Sequence, residues 1–334
     1  MASDVAGQSS VLDSEDAFLR VIDRHFGAEA GRAALGRGDD CAILPCPEEI
    51  CLSTDLFLED AHFRRSYFEP EDIGYKALAV NVSDVAAMAA RPLGFSLSLI
   101  APRPASAAFY DRLFAGMAAL ARDCDTELVG GDISGGDKLG FSITIWGQAV
   151  GQRFVTRSGA RPGDMLFTVG RIGLARTGLL ALERMGAAAK TAFPSSCAAH
   201  LRPPMRLQSA EEIGRFGKVR ALMDVSDGLA RDLPRLLGSL GANLSIEEDF
   251  AHPEVLAYCS REDLDPVEHM VLGGEDYALL GALDPADWTK LAARLPEAVK
   301  IGEVLDRPGL RLNGHPFSAS GFDHFSQGGD HGEA

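Results

Sequence analysis

The residues that could do chemistry in this chain are mostly acidic, and they recur beside glycine or serine at the ends of apolar runs. The densest stretch is Leu222–Asp232, Leu-Met-Asp-Val-Ser-Asp-Gly-Leu-Ala-Arg-Asp. Leu222 and Met223 end an apolar lead-in with the character of a buried strand. Asp224, Ser226 and Asp227 are expected at the turn, and Gly228 opens an amphipathic helix carrying Leu229, Leu233 and Leu236. A related string far upstream, Val80-Asn81-Val82-Ser83-Asp84-Val85, shares Val-Ser-Asp. Asp39, Asp40, Asp55, Asp132, Glu275 and Asp276 complete the set. Hard divalent cations take oxygen ligands of this kind, and phosphates take the free amides of a helix N-terminus. Any one such carboxylate is ordinarily a turn former or a helix cap. A cluster is another matter, because two bare carboxylates ~4 Å apart repel by about 4 kcal/mol at an effective dielectric near 20. Cations between them relieve that repulsion, so the expectation is a shared metal–phosphate site built by acidic turns from both halves of the chain.

The chain contains no Gly-x-x-x-x-Gly-Lys-Ser/Thr loop, no Gly-x-Gly-x-x-Gly, no His-Glu-x-x-His and no Gly-x-Ser-x-Gly. A nucleotide would have to be held by magnesium, helix amides and isolated basic groups. Arg157, in a turn with Gly159 and Gly163 behind it, is the best such group, though a linker arginine in solvent has the same local sequence. His62, between Ala61 and Phe63, could face a ligand or serve a structural role.

These groups need a scaffold, and the chain provides alternating strand and helix signals of an α/β class. A helix is expected from Asp13 or Ser14, with Phe18, Ile22 and Phe26 at helical spacing, and another over 72–90. Strands are expected at 50–53, 93–100, 141–150 and 165–169, a helix over 106–122, and a loop over 187–200. A domain boundary is placed near Gly151, giving an N-terminal unit of 14–150 and a C-terminal unit of 151–325, with loose ends at 1–13 and 326–334. The length, 334 residues, suffices for two buried cores. The net charge of −16 argues against nucleic acid or an anionic membrane as partner. No apolar run reaches the length of a membrane span, the first residues lack the pattern of a secretory signal, and six cysteines without Cys-x-x-Cys read as reduced thiols, so a cytoplasmic location is expected.

In their order, Gly38-Asp39-Asp40-Cys41-Ala42, Ser53-Thr54-Asp55, His62-Phe63, Tyr75–Asp84, Gly130-Gly131-Asp132, Thr156-Arg157-Ser158-Gly159, Asp224–Leu229 and Gly273-Gly274-Glu275-Asp276-Tyr277 resemble the thiamine-monophosphate kinase family, of the aminoimidazole ribonucleotide synthetase-like superfamily. The resemblance runs over about 14–325. It implies a two-domain α/β (α+β) fold whose N-terminal domain binds ATP and magnesium and forms a homodimer. It also implies ATP-dependent phosphorylation of thiamine phosphate to thiamine diphosphate, the last step in making that cofactor. By motif, Asp40, Ser53, Thr54, Asp55, Asp84, Asp132 and Asp224 correspond to ligands of several magnesium ions, with Asp227 another. Gly131, Asp132, Arg157 and Ser226 correspond to ATP contacts, and Phe114 to a nucleotide-contacting aromatic. His62 and Glu275 correspond to thiamine phosphate contacts, and Phe322 to the aromatic face for the thiamine ring. Asp224, Asp84, Asp55 and Arg157 would carry catalysis. The rivals are another ATP-using member of the superfamily, or a metal- or nucleotide-binding dimer without activity.

Overall fold

The alternation of Phe95, Leu97 and Leu99 is matched across the ladder by Ile145, Ile143 and Phe141, and all six side chains turn to one buried face. This pair of strands is the centre of the first sheet. The computed structural model describes residues 11–27, 33, 35–37 and 40–317. Asp39, Phe322, residues 1–10 and the expected loose end at 326–334 lie outside the described residues. In chain order the first half contains α1 (Glu15–Phe26), β1 (Cys51–Leu58), α2 (Pro70–Ala86), β2 (Ala90–Pro102), α3 (Ala107–Asp123), β3 (Glu127–Gly136) and β4 (Gly140–Ala149). The second half contains β5 (Met165–Val169), α4 (Leu174–Met185), α5 (Ala189–Ala192), α6 (Pro194–Leu201), α7 (Leu207–Phe216), β6 (Ala221–Val225), α8 (Leu229–Leu237), β7 (Gly241–Leu244), α9 (Pro253–Glu262), α10 (Pro266–Leu272), β8 (Ala278–Leu283), α11 (Trp288–Arg294), β9 (Ala298–Leu305), β10 (Gly309–Leu312) and β11 (His315–Phe317).

The first sheet has the order β1-β4-β2-β3, the second β11-β10-β7-β9-β5-β8-β6. Among the described strands only β2–β3 and β7–β10 run parallel. Helices α2 and α3 cover the inner face of the first sheet, and α2 is buried almost all round because the second half lies on its other side. Ser14, one of the two caps the sequence offers for α1, and Ser106, read from sequence as a helical residue, cap α1 and α3, their hydroxyls accepting from Ala17 N at 3.3 Å and Phe109 N at 3.4 Å. Val11 and Leu12, placed by the sequence in a loose end, bridge instead to Ser106 and Ala105.

Further sequence expectations change. The segment 187–200 is helical, because the amides of Ser195 and Ser196 at the start of α6 donate to Glu254 at 3.0 and 2.8 Å. A cap delivered from α9 leaves no trace in the local sequence. The upstream Val-Ser-Asp is not at a turn but in the last stretch of α2. Gly228 follows the downstream copy directly, whereas no glycine follows Asp84 until Gly94, so nothing there releases the helix. Among the described residues no helix is long and apolar enough to cross a membrane, and all six cysteines are free thiols.

Candidate active site

Asp84 and Ser83 end α2 where it meets both sheets. Ser83 Oγ donates to Asp224 Oδ2 at 2.5 Å, and Ser53 Oγ donates to Asp84 Oδ2. Three elements, β1, α2 and β6, thus converge through two serine–carboxylate bonds, one of them crossing between the halves of the chain. Asp55, two residues along β1 from Ser53, shares its face of the sheet, the inner one. Burial pushes the Asp55 carboxyl up to about 6 and the Asp224 carboxyl up to about 7, with the charge of Asp84 adding to both. Burial also raises Asp84, opposed by the Ser53 hydrogen bond and by the charge of Arg157. Arg157 reaches this region because Leu222 N donates to Thr156 O at 2.9 Å, laying its loop along β6. Asp224 itself is the penultimate residue of β6 rather than a turn residue, and is 8% exposed.

The turn after β6 is held by a residue the sequence reading did not single out. Asp232, on the first turn of α8 and fully buried, accepts from Ser226 N at 3.1 Å and Asp227 N at 3.0 Å. Its other oxygen meets Arg235 at 2.8 Å. The Asp227 carboxylate accepts from Arg235 at 2.7 Å and lies 3.6 Å from Arg231. Gly228 is required where it stands: its φ is +99°, and a Cβ would lie 2.8 Å from Leu272 O.

The second acidic turn packs on the first, with Glu275 N donating to Ser226 O at 2.8 Å and Tyr277 N to Val225 O at 2.9 Å. Glu275 is met by Lys76 Nζ at 3.1 Å and His200 Nδ1 at 2.9 Å. Asp276 does not face the cluster; it accepts from Gly173 N at 2.6 Å and Ala175 N at 2.9 Å and so anchors the start of α4. Tyr277 is buried, and the charges of Glu275, Asp224, Asp55 and Asp84 join burial in raising its phenol far above the usual range. His62 Nδ1 accepts from Leu58 N at 3.0 Å, and its ring stacks on Phe57 at 5.9 Å. Phe57, Phe63 and Phe68 continue the ring contacts at 4.9 and 6.1 Å, and Phe68 meets His200 at 5.5 Å. An aromatic run therefore joins His62 to the partner of Glu275.

Other expected residues stand apart. Thr54 points to the outer face of the first sheet, where its hydroxyl pairs with that of Thr144 at 2.8 Å. Asp132 lies within β3, in one cross-strand row with Ser98, Ser142 and Leu56, hence on that same outer face. The two-residue period of a strand separates these side chains from Asp55. Gly131 lies against β2, where a Cβ would stand 1.8 Å from Leu97 O. Phe114 is a correction to the sequence reading: its ring is 0% exposed in the core of α3, beside Tyr110, so it offers no face to a nucleotide. Asp40 is exposed on the segment before β1. Among the described residues, no three His, Cys, Asp or Glu side chains are arranged to hold a metal ion by themselves. Lys76, His200, Ser83 and Tyr277 were not singled out by sequence. Ser83, Lys76 and Tyr277 lay inside quoted motifs, whereas His200 lay in the supposed loop with no signal at all.

Comparison with known proteins agrees with this architecture. A family model for the AIR synthase related protein, N-terminal domain, matches residues 38–152, and one for its C-terminal domain matches 161–315. The chain is 33% identical to the thiamine-monophosphate kinase of Aquifex aeolicus over 86% of this chain and 92% of that protein. It is 34% identical to that of Bacillus subtilis over 82% and 86%. Among solved structures, AaThiL complexed with AMPPCP and TMP has a TM-score of 0.76 and 31% identity, covering 93% of this chain and 97% of that one. A hydrogenase maturation protein HypE in complex with ATP, at 23% identity and a TM-score of 0.76, shares the fold. By these matches the chain belongs to the AIR synthase related family and, within it, to the thiamine-monophosphate kinases.

Proposed function

We propose that this chain transfers the terminal phosphoryl group of ATP directly, in line, to the phosphate of thiamine phosphate, giving thiamine diphosphate and ADP. The observation that carries this reading is the meeting of Asp55, Asp84 and Asp224 through Ser53 and Ser83 at the junction of the two halves. The donor set fits magnesium: all its atoms are hard oxygens, and burial raises each of the three carboxyls. With no three of them forming a closed site, phosphate oxygens of the ligand would supply the remaining positions, the ordinary manner of binding this ion. Asp55, Asp84, Asp224 and Ser53 would hold it. Bound there, several magnesium ions would neutralise charge on the donor and acceptor phosphates.

The chain's own groups do the rest. The acceptor is a phosphate oxygen already ionised near neutral pH, so no residue need act as general base. Arg157, next to Asp84, steadies the triphosphate, and the turn after β6, its Ser226 and Asp227 amides held by Asp232, offers the Ser226 hydroxyl to the nucleotide. Glu275 and His62, at the two ends of the aromatic run, bind thiamine phosphate. Positioning of two anions against their mutual repulsion is the main task. Phe322 remains an expectation for the thiamine ring.

The active form is read as a homodimer joined through the outer face of the first sheet, where Leu52 and Leu56 are 63% and 58% exposed. Thr54 and Asp132 lie on this face. A cytoplasmic location suits exposed free thiols at Cys41 and Cys46. Incubation with ATP, magnesium and thiamine phosphate should yield thiamine diphosphate. Asp224→Asn should lower kcat by more than about a hundredfold while leaving the unfolding transition in place. Retained turnover with ordinary magnesium dependence in that variant would overturn the ligand role.

A further inference from the structure

Two buried titratable groups have no part in the reaction just described. Lys76, on α2, has no exposed side-chain surface, and His200, on the last turn of α6, is 1% exposed. Both address one carboxylate: Lys76 Nζ lies 3.1 Å from Glu275 Oε1 and His200 Nδ1 lies 2.9 Å from Glu275 Oε2. Burial acts to raise Glu275, but the charge of Lys76 and the hydrogen bonds from both groups outweigh it and hold the carboxyl well below its ordinary range. An ionised carboxylate has no proton to give, so the Nδ1 of His200 is the donor. Nε2 of His200 is buried with no partner. Protonating it would bury an unpaired donor, and burial with Lys76 nearby lowers the imidazole's affinity for that proton.

The ring is therefore neutral, and Lys76 and Glu275 cancel each other's charge. Phe68 closes the back of the arrangement, its ring 5.5 Å from Lys76 Nζ and 5.5 Å from the His200 ring. Glu275 alone keeps exposed surface, 26% of its side chain. A carboxylate has about four acceptor positions, and Lys76 and His200 take one on each oxygen. Its backbone sits at φ +64°, a left-handed conformation that persists where the surroundings over-determine it.

We propose that Lys76 and His200 are positioning residues for substrate recognition. They lock the Glu275 carboxylate in one orientation, so that its outward lone pairs accept from an N–H donor of thiamine phosphate rather than acting as a counter-charge. The proposal rests on the reading of Glu275 as a substrate contact.

Steady-state kinetics on the full chain, with thermal unfolding of each variant, test it. Glu275→Gln sets the reference and should raise KM for thiamine phosphate by about tenfold or more. His200→Leu, which keeps bulk but not the donor, should raise the same KM by a comparable factor while kcat and KM for ATP stay within about twofold. His200→Asn, which restores a donor near the position of Nδ1, should recover most of the loss even where its unfolding temperature matches that of His200→Leu. Lys76→Met should give the same selective rise in KM. If Glu275→Gln raises KM but His200→Leu and Lys76→Met do not, or if His200→Asn is no better than His200→Leu, the positioning role is wrong. If Glu275→Gln itself leaves KM unchanged, the substrate-contact reading fails instead.

Discussion

At the scale of single residues, the site works by placing carboxylates where they cannot be comfortable alone. Burial raises Asp55, Asp84 and Asp224, the charge of Asp84 adds to the other two, and the serines between them satisfy only part of their acceptor capacity. A cation is the natural complement of such an arrangement. Asp232 acts differently: its charge is spent on two backbone amides and Arg235, which fixes the turn carrying Ser226 and Asp227. Asp232→Ala should therefore cost about 1–3 kcal/mol of stability by urea unfolding, because two buried amides lose their acceptor. It should also raise KM for ATP more than KM for thiamine phosphate. An unchanged ratio of the two constants would show that the turn does not meet the nucleotide.

At the scale of elements, short helices of the second half are tied together by side chains that their own sequences do not announce. His269 on α10 donates from Nε2 to Thr177 Oγ1 on α4 at 2.9 Å, since the Thr177 hydroxyl is already given to Gly173 O. Burial, with the Arg176 charge second, brings this imidazole down to about 4 from an ordinary 6.5. The folded pKa lies below the unfolded one, so the unfolded chain takes up a proton that the native one refuses. Stability from this group is complete above about pH 6.5 and is lost as pH falls toward 4, to a total of about 3 kcal/mol. In His269→Gln, which keeps an amide donor but does not titrate, the loss of unfolding free energy between pH 7 and pH 5 should shrink. An identical loss in variant and parent would show that other groups set the acid limb.

At the scale of the whole molecule, the first sheet buries one face under α2 and α3 and leaves the other with Leu52, Leu56, Trp146 and Ile100 in open rows. Burial of one such leucine contributes about 1.5–3 kcal/mol. Leu52→Asp with Leu56→Asp should thus convert a dimer into a 35.5 kDa monomer in sedimentation velocity, with the inner-face cluster undisturbed. A doubly substituted chain that still sediments as a dimer would place the interface elsewhere. The site lies where the two halves meet, joined across by Ser83 with Asp224 and by Lys76 with Glu275.

Much of this was legible in the sequence, because apolar periodicity and acid–glycine turns are local properties. The strand and helix alternation of the first half, the Met165–Val169 strand, the Ser14 cap and the acidic residues Asp55, Asp84 and Asp224 follow from neighbours in the chain. What the sequence could not decide is which face of a strand a residue takes once register is set, and which distant group satisfies it. Asp55 and Asp132 look alike as turn acids, yet the pleat sends one to the core and the other to the outer face. Phe114 looks like an available aromatic until α3 packs it away. His200 becomes a partner of Glu275 through the packing of α6, whose start is capped by Glu254 from a remote helix. Residue types and local spacing determined the chemistry on offer; long-range packing, which closes loops of tens of residues and chooses partners by burial and charge, decided where that chemistry is assembled.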